Sequence, residues 1–381
     1  MDFSLTQEQQ MIVDSFSKYL QNELKPVALE YRDKLIPKEK MLSIQQDLLE
    51  FGVGPGMLSE DMGGLGLDAV TMGLLQFELS RVSPDIAITS LIQLTVSKLL
   101  PLIPEDMRDA YVQPVLEATK LGCVGMSEPG AGSQVTAVNC RAKLDGDEYV
   151  ISGEKLWISS GDYSDFIFLL CRLNDEPVGG LGLMLVDREH GYETSNIEKM
   201  GLNSQSTAQV SFNDVRVPAK NLIVEPGKAM KALLTLLSSS RPIVSLMALG
   251  IAKAALDESV QYSLDREQFG KPIAAHQLIS AKLGEMATKL EAGKLMSFRA
   301  LSAIDNGERG DVHSAMAKWF GTELACEIVN EAMQIHGGNG VTCEFPIEYM
   351  YRSVRIFPFT EGTNEIQRLM IGRSLTGIDA F

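Results

Sequence analysis

Apolar residues keep one spacing over the first third of this chain, change to a second, and then change back, and that double switch restricts the fold more than any single motif. Up to about residue 120 the spacing is helical: Met11, Ile12, Phe16 and Leu20 follow Thr6-Gln7-Glu8-Gln9, which has the form of a capping box. The Gly63-Gly64-Leu65-Gly66 turn separates that region from a second helical segment at about 67–80. From about 121 to 225 the apolar runs shorten. Glu148-Tyr149-Val150-Ile151, Phe166 to Leu170, Leu181 to Val186 and Ala208 to Phe212 are bounded by Gly, Asn and Asp, as strands joined by frequent turns are. Beyond 226, helical spacing returns in long segments at 241–265, 275–305, 311–335 and 364–375. Pro242 suits a first helical turn and Gly337-Gly338 the end of the third segment. The expected fold is α+β and mainly α: an N-terminal helical domain (1–120), a middle β-barrel-like domain (121–225) and a C-terminal four-helix bundle (226–381).

With 381 residues, 45% hydrophobic and 22% charged, the chain has the length and composition to bury a large core, which excludes a mainly disordered protein. The longest strongly apolar stretch, Ile243 to Leu256, has 14 residues and contains Lys253, so no membrane span is expected from it. Met1-Asp2-Phe3-Ser4-Leu5-Thr6 has no basic or apolar leader features, and the five cysteines (Cys123, Cys140, Cys171, Cys326, Cys343) form no Cys-x-x-Cys pair. A cytoplasmic, reducing setting and no zinc site are expected. A net charge of −16 argues against general nucleic-acid binding, which needs a basic stripe. A small anionic ligand stays compatible, because a few local cations and helix N-termini suffice for it.

No Gly-x-Gly-x-x-Gly opens a strand–turn–helix unit, and neither a P-loop nor a Gly-x-Ser-x-Gly elbow is present. The four histidines are scattered, which disfavours a metal centre. Three segments remain. Phe359-Thr360-Glu361-Gly362-Thr363-Asn364-Glu365 sets a carboxylate on a Gly-broken turn ahead of a helix, in apolar company. Such company raises a carboxyl pKa and makes a base useful near neutrality, although a Glu there also serves the helix dipole. Val124-Gly125-Met126-Ser127-Glu128-Pro129-Gly130-Ala131-Gly132-Ser133 packs small residues into a turn that can bring backbone N–H groups to a polar ligand, or is a plain β-turn. In Gly153-Glu154-Lys155-Leu156-Trp157-Ile158-Ser159-Ser160-Gly161, strand alternation would put the Trp157 indole and the Ser159 hydroxyl on one face. That pairing suits a planar cofactor, or the indole is core.

Five blocks then stand in a fixed order: Met126 to Ser133, Lys155 to Ser159, Asp265-Arg266-Glu267-Gln268-Phe269-Gly270-Lys271-Pro272, Gln334-Ile335-His336-Gly337-Gly338-Asn339-Gly340, and Glu361 to Gln367. In these blocks, over essentially its whole length, the chain resembles the acyl-CoA dehydrogenase family of flavoproteins. The resemblance implies a non-covalent FAD lined by Met126, Ser127, Gly132, Ser133, Trp157 and Ser159, with Thr363 and Glu365 near its phosphate and ribose region. It puts Arg266, Phe269, Gln334 and Gly338 against the FAD of a neighbouring subunit, in a homotetramer built as a dimer of dimers. It makes Glu361 the base that takes the α-proton of an acyl-CoA thioester, with flavin N5 taking the β-hydrogen as hydride and an electron-transfer flavoprotein receiving the electrons. Ser133, Arg241, Thr360 and Gly362 would adjoin the substrate.

One branch of the family carries its base just before the arginine of a later helix. That position is Ser240 here, which favours Glu361. Three departures bear on the substrate. Thr360 stands where many members have an aromatic residue, Ser238 where many have Asp, and Glu225-Pro226-Gly227-Lys228-Ala229 lacks a second Gly. A smaller residue at 360 would widen the pocket for a branched, cyclic or polar acyl group. Alternative readings are the same chemistry on a carrier-protein-bound acyl group, an enoyl-CoA reductase, and a scaffold or DNA-contacting flavoprotein. The acidic charge and the presence of Glu361 disfavour the last of these, and a nitroalkane-type oxidase would carry Asp in place of Glu361.

Overall fold

The computed structural model describes residues 4–174, 180–308 and 310–379. Its N-terminal part consists of α1 (Gln7–Tyr19), α2 (Lys25–Glu30), α3 (Lys38–Leu49), α4 (Ala69–Val82), α5 (Pro84–Leu99) and the short α6 (Val112–Leu116). The capping box at the start of α1 forms: the Gln9 N–H donates to Thr6 Oγ1 and the Thr6 N–H to Gln9 Oε1, each at 3.1 Å. The segment expected at 67–80 is the first of two helices. Pro84 cannot continue α4, and Ser83 starts α5 by accepting the Ile86 N–H at 3.3 Å.

The middle part holds β1 (Gly122–Gly125), β2 (Arg141–Asp145), β3 (Glu148–Ser159), β4 (Phe166–Leu173), β5 (Leu181–Asp187), β6 (Glu193–Asn196), β7 (Thr207–Pro218) and β8 (Leu222–Val224). They form one sheet in the order β6-β7-β3-β2-β4-β5-β8, with β1 beside β4. One edge of β4 is shared, β1 running parallel to its first half and β2 to its end, while the other neighbours are antiparallel. Two-residue alternation sends β4 into two cores. Phe166, Phe168 and Leu170 pack with Val96 and Leu99 of α5, and Ile167, Leu169 and Cys171 pack with Ile151, Val210 and Phe212 of β3 and β7. The sheet thus folds over a core of its own, barrel-like, and turns its other face to the helices.

The C-terminal part comprises α7 (Ala229–Asp265), a hairpin of β9 (Glu267–Gln268) and β10 (Lys271–Pro272), α8 (Gln277–Asp305), α9 (Asp311–His336), α10 (Ile347–Val354) and α11 (Asn364–Thr376). Helices α7, α8 and α9 pack on one another, α11 lies against α9 as the fourth member of the bundle, and α10 is added to it. Gly321 sets the crossing of α9 with α7, because a Cβ there would fall 1.9 Å from Ser245 Oγ. One expectation is corrected. Helix α7 begins at Ala229, so Pro242 lies in its interior. Proline has no N–H to give the Ser238 carbonyl. The hydroxyls of Ser238 and Ser239 turn back onto the carbonyls of Leu234 and Leu236 at 3.0 and 2.8 Å, and burial of the surrounding turns keeps the helix continuous.

This longer α7 also changes the membrane count. By length and composition alone, α7 and the stretch Pro84–Leu102 could each cross a bilayer, and 67% and 72% of their most apolar windows are buried inside the fold, as in core helices. The three parts meet at polar joints, the first buried and the second nearer the surface. Asp85 of α5 accepts from the Ser204 N–H at 2.7 Å and from the Tyr349 hydroxyl of α10. Arg352 grips both carboxylate oxygens of Asp33 at 2.8 and 2.9 Å and donates to the Met200 carbonyl at 2.7 Å.

Candidate active site

The turn between α10 and α11 is closed by the Asn364 N–H on the Pro358 carbonyl at 3.0 Å, and the Thr360 hydroxyl bonds back to Phe357 O at 3.1 Å. Within it Glu361 has φ 55° and Gly362 φ 88°. A left-handed non-glycine residue costs about 1–2 kcal/mol, so something must hold it there. Buried donors do. Arg241 Nε reaches Glu361 O at 3.2 Å, and Gln367 Nε2 reaches Glu361 O at 3.4 Å and Gly362 O at 3.1 Å. Lys318 Nζ, on α9, donates to Pro358 O at 2.7 Å and to Gly362 O and Asn364 Oδ1 at 2.8 Å each. A Cβ at position 362 would come within 2.9 Å of Gln367 Nε2, so the turn needs glycine there for space as well as for φ.

With the carbonyls drawn inward, the Glu361 side chain meets α7, where the Ser240 hydroxyl donates to Oε2 at 2.6 Å. The position expected only to be empty of a second carboxylate therefore supplies a hydrogen bond to the first. Arg241 and Lys318 are 3% and 0% exposed, so both cations lie inside the fold. Burial pulls the Lys318 ammonium down to about 7 against the attraction of Glu361, and lowers Arg241, again opposed by Glu361.

The second loop, Met126 to Ser133, lies against β3. The Leu156 N–H donates to Ser127 O at 2.9 Å, and buried Lys155 reaches Met126 O at 3.1 Å and Glu128 Oε1 at 2.7 Å. The Glu128 carboxylate also accepts the Asn139 and Cys140 N–H groups at 2.6 and 2.9 Å. Simple alternation fails at Trp157. The register of β3 against β7 shifts between Lys155 and Ile158, Trp157 takes φ 64°, and its indole is 58% exposed. A bulge, not the strand pleat, aims the indole outward, while half-buried Ser159 stays in register opposite Thr207. Cβ atoms at Gly130 and Gly132 would meet nothing within 4 Å, and Ser133 is exposed. An open cradle of small residues beside an outward aromatic fits a planar cofactor such as FAD.

Arg266, Phe269, Gln334 and Gly338 gather at one end of the bundle, all exposed, with Phe269 94% exposed. There Tyr262 stacks on His336 at 4.3 Å between ring centres, and the Asn339 side chain donates to the Tyr262 hydroxyl at 3.1 Å, tying the ends of α7 and α9 together. Thr363 caps α11 by accepting the Ile366 N–H at 3.4 Å. Exposed Glu365 sits in that first turn, its carboxyl held below its ordinary range by its own N–H and the Thr363 hydroxyl. Sequence reasoning assigned no role to Lys318, Asn364, Gln367, Lys155 or Glu128. The one hint was a single lysine within the apolar run Ala315-Met316-Ala317-Lys318-Trp319-Phe320.

Comparison with known proteins agrees over the whole chain. Family models described as the N-terminal, middle and C-terminal domains of acyl-CoA dehydrogenase match residues 6–119, 123–215 and 227–376. A Bacillus subtilis protein named probable acyl-CoA dehydrogenase YngJ is 34% identical over 381 residues, covering 98% of this chain and 100% of the relative. The 3-(aryl)acrylate reductase of Clostridium sporogenes is 33% identical over 377 residues, covering 97% and 99%. The solved butyryl-CoA dehydrogenase of Megasphaera elsdenii superposes with a TM-score of 0.92 at 30% identity, covering 98% of this chain and 100% of that one. The chain belongs to the acyl-CoA dehydrogenase family. It is an FAD-dependent oxidoreductase acting on acyl-CoA.

Proposed function

We propose that Glu361 removes the α-proton of a saturated acyl-CoA thioester. The observation that carries this reading is the Glu361 turn itself: a carboxylate on a left-handed residue, fixed by buried donors and oriented by Ser240. A thioester α-proton is too weakly acidic for a freely rotating, fully solvated carboxylate, so the site must hold and partly desolvate its base. Arg241 and Lys318 place positive charge beside the carboxylate, while Ser133, Thr360 and Gly362, with Arg241, are assigned to the substrate. Bound FAD supplies the acceptor for the β-hydrogen and its electron pair.

Met126, Ser127, Gly132, Ser133, Trp157 and Ser159 are assigned to the flavin, with Thr363 and Glu365 toward its phosphate and ribose end. The exposed Arg266, Phe269, Gln334 and Gly338 would complete the site of a neighbouring subunit in a homotetramer, a role supported by their gathering at one end of the bundle. These roles fall to units of residues 1–120, 121–225 and 226–381. An electron-transfer flavoprotein would take up the electrons, and the five free thiols suit a reducing, cytoplasmic setting.

A second reading is favoured by one relative, the 3-(aryl)acrylate reductase: the same residues would run the reaction toward saturation, with Glu361 returning the α-proton. Anaerobic flavin bleaching with short, long, branched, cyclic and dicarboxylic acyl-CoAs tests both. One class should bleach the wild type, and Glu361→Gln should slow that reaction by about 10²–10⁴. A Gln variant as fast as the wild type would end Glu361's role as base. Bleaching by none, with reoxidation of reduced enzyme by enoyl thioesters, would establish the reductive reading.

A further inference from the structure

We propose that Lys318 is a positioning residue for this reaction, its ammonium fixing the turn that presents Glu361. The inference rests on the function proposed above. An ammonium has three N–H donors, and all three are used: on Pro358 O at 2.7 Å and on Gly362 O and Asn364 Oδ1 at 2.8 Å. These acceptors bracket Glu361, one on the approach to the turn, one directly after the base and one at the first residue of α11. Asn364 is itself 2% exposed and oriented from α9, its Nδ2 donating to Thr322 Oγ1 at 3.1 Å and to Glu323 Oε1 at 3.4 Å. One face of α9 thus dictates the path of residues 358–364.

The chemistry of the clamp points the same way. A fully buried cation bonded only to neutral oxygens is a destabilising means of closing a turn, which an amide or a hydroxyl would close with less desolvation. Up to about pH 7, where burial sets the loss of its proton, what the ammonium adds is a positive charge beside a carboxylate that must stay in one place. Lys318 touches the backbone on both sides of Glu361 and no hydrogen bond joins it to the carboxylate itself, so it acts through the base and not as one.

The test uses FAD-loaded, full-length protein. Lys318→Met keeps the stem and removes the donors. Single-turnover flavin reduction by the best acyl-CoA should fall at least tenfold, while substrate Kd and FAD content move less than about threefold, as expected when orientation and not binding is lost. Hydrogen exchange over 358–364 should quicken in the variant with or without FAD, and exchange over 126–133 should not. In a Glu361→Gln background, Lys318→Met should add no further loss, the coupling expected of residues acting as one unit. Asn364→Ala removes one acceptor and should show the same pattern at smaller size, which keeps the test open if the methionine variant does not fold. The proposal is overturned if a folded variant reduces flavin within about twofold of wild type, or if the loss is undiminished in the Gln background. Were Glu361→Gln as fast as wild type, both readings would fall; were only the Lys318 and Asn364 variants unaffected, this inference alone would fall.

Discussion

Two loops of the molecule are shaped by lysines with no exposed surface, and the two lysines are held in opposite ways. Under Met126–Ser133, Lys155 has a carboxylate for a partner, and that carboxylate is satisfied in turn by two backbone N–H groups. Under residues 358–364, Lys318 has three neutral oxygens and no bonded carboxylate. The first loop needs only a fixed shape, open at Gly130 and Gly132, and its charge is neutralised on the spot. The second presents a carboxylate of its own, and the positive charge beneath it is left facing that group. A buried ion pair is a stiff, self-contained brace, whereas a lone buried cation couples the brace to whatever charge the loop carries.

Stability should separate the two most sharply. Lys155→Met leaves the Glu128 carboxylate buried without its counter-charge, and breaking a buried pair from one side costs about 3–5 kcal/mol. Lys318→Met leaves only neutral carbonyl and amide oxygens unpaired, a loss of about 1–3 kcal/mol, partly offset by relief of the buried charge. Urea unfolding of the FAD-saturated proteins measures both. The comparison breaks if the Lys318 variant is the less stable of the two.

Ser240→Ala sharpens the catalytic side of the contrast. Without the 2.6 Å hydrogen bond to Oε2 the carboxylate becomes a stronger base and also gains freedom to rotate. Misplacing a reacting group by about 1 Å can cost 10²-fold, more than the gain in basicity returns, so flavin reduction should slow by roughly tenfold. An unchanged or faster reaction would show that the backbone clamp alone orients Glu361.

Much of this was legible in the chain. The switches of apolar spacing mark the order of helices, sheet and helices because each element buries one face at its own period, and Glu361-Gly362 announces a turn because few residues other than glycine follow such a path. What escaped was long-range. Ser240 meets Glu361 across 121 residues of sequence, and Lys318 reaches Gly362 across 44, contacts that leave no local pattern. Pro242 reads as a helix start because its missing N–H forbids an ordinary interior, and only the burial of the turns on either side, which no local pattern marks, carries the helix through it. At Trp157 the two-residue alternation marks the strand but not the direction of the indole, because a bulge resets the count.

The smallest effect expected is in the pH dependence of stability, and it isolates the unpaired lysine. In the unfolded chain Lys318 titrates near its ordinary value of 10.5, and in the folded one burial brings it down to about 7. Between those values the unfolded state holds a proton that the folded state has given up, so stability rises with pH, by at most about 1.4 kcal/mol per unit for one group. Lys98 and Lys199, drawn down to about 8 by burial, add to the rise from that point. The thiols oppose it higher up. Burial holds Cys123 and Cys140 up at about 12 and Cys326 at about 11, and raises Cys171 further, so above their ordinary value of 9 the unfolded state loses four protons that the folded state retains, against the three that the lysines account for, and stability falls. Stability should therefore climb from pH 7 toward a maximum near 9. Lys318→Met should flatten the first unit of that climb and leave the decline above 9 in place, as read from urea midpoints in half-unit steps. A variant that keeps the whole slope would show that the Lys318 ammonium is stabilised as fully by its three neutral oxygens as it would be by a carboxylate, and the distinction between the two braces would then lie in geometry alone.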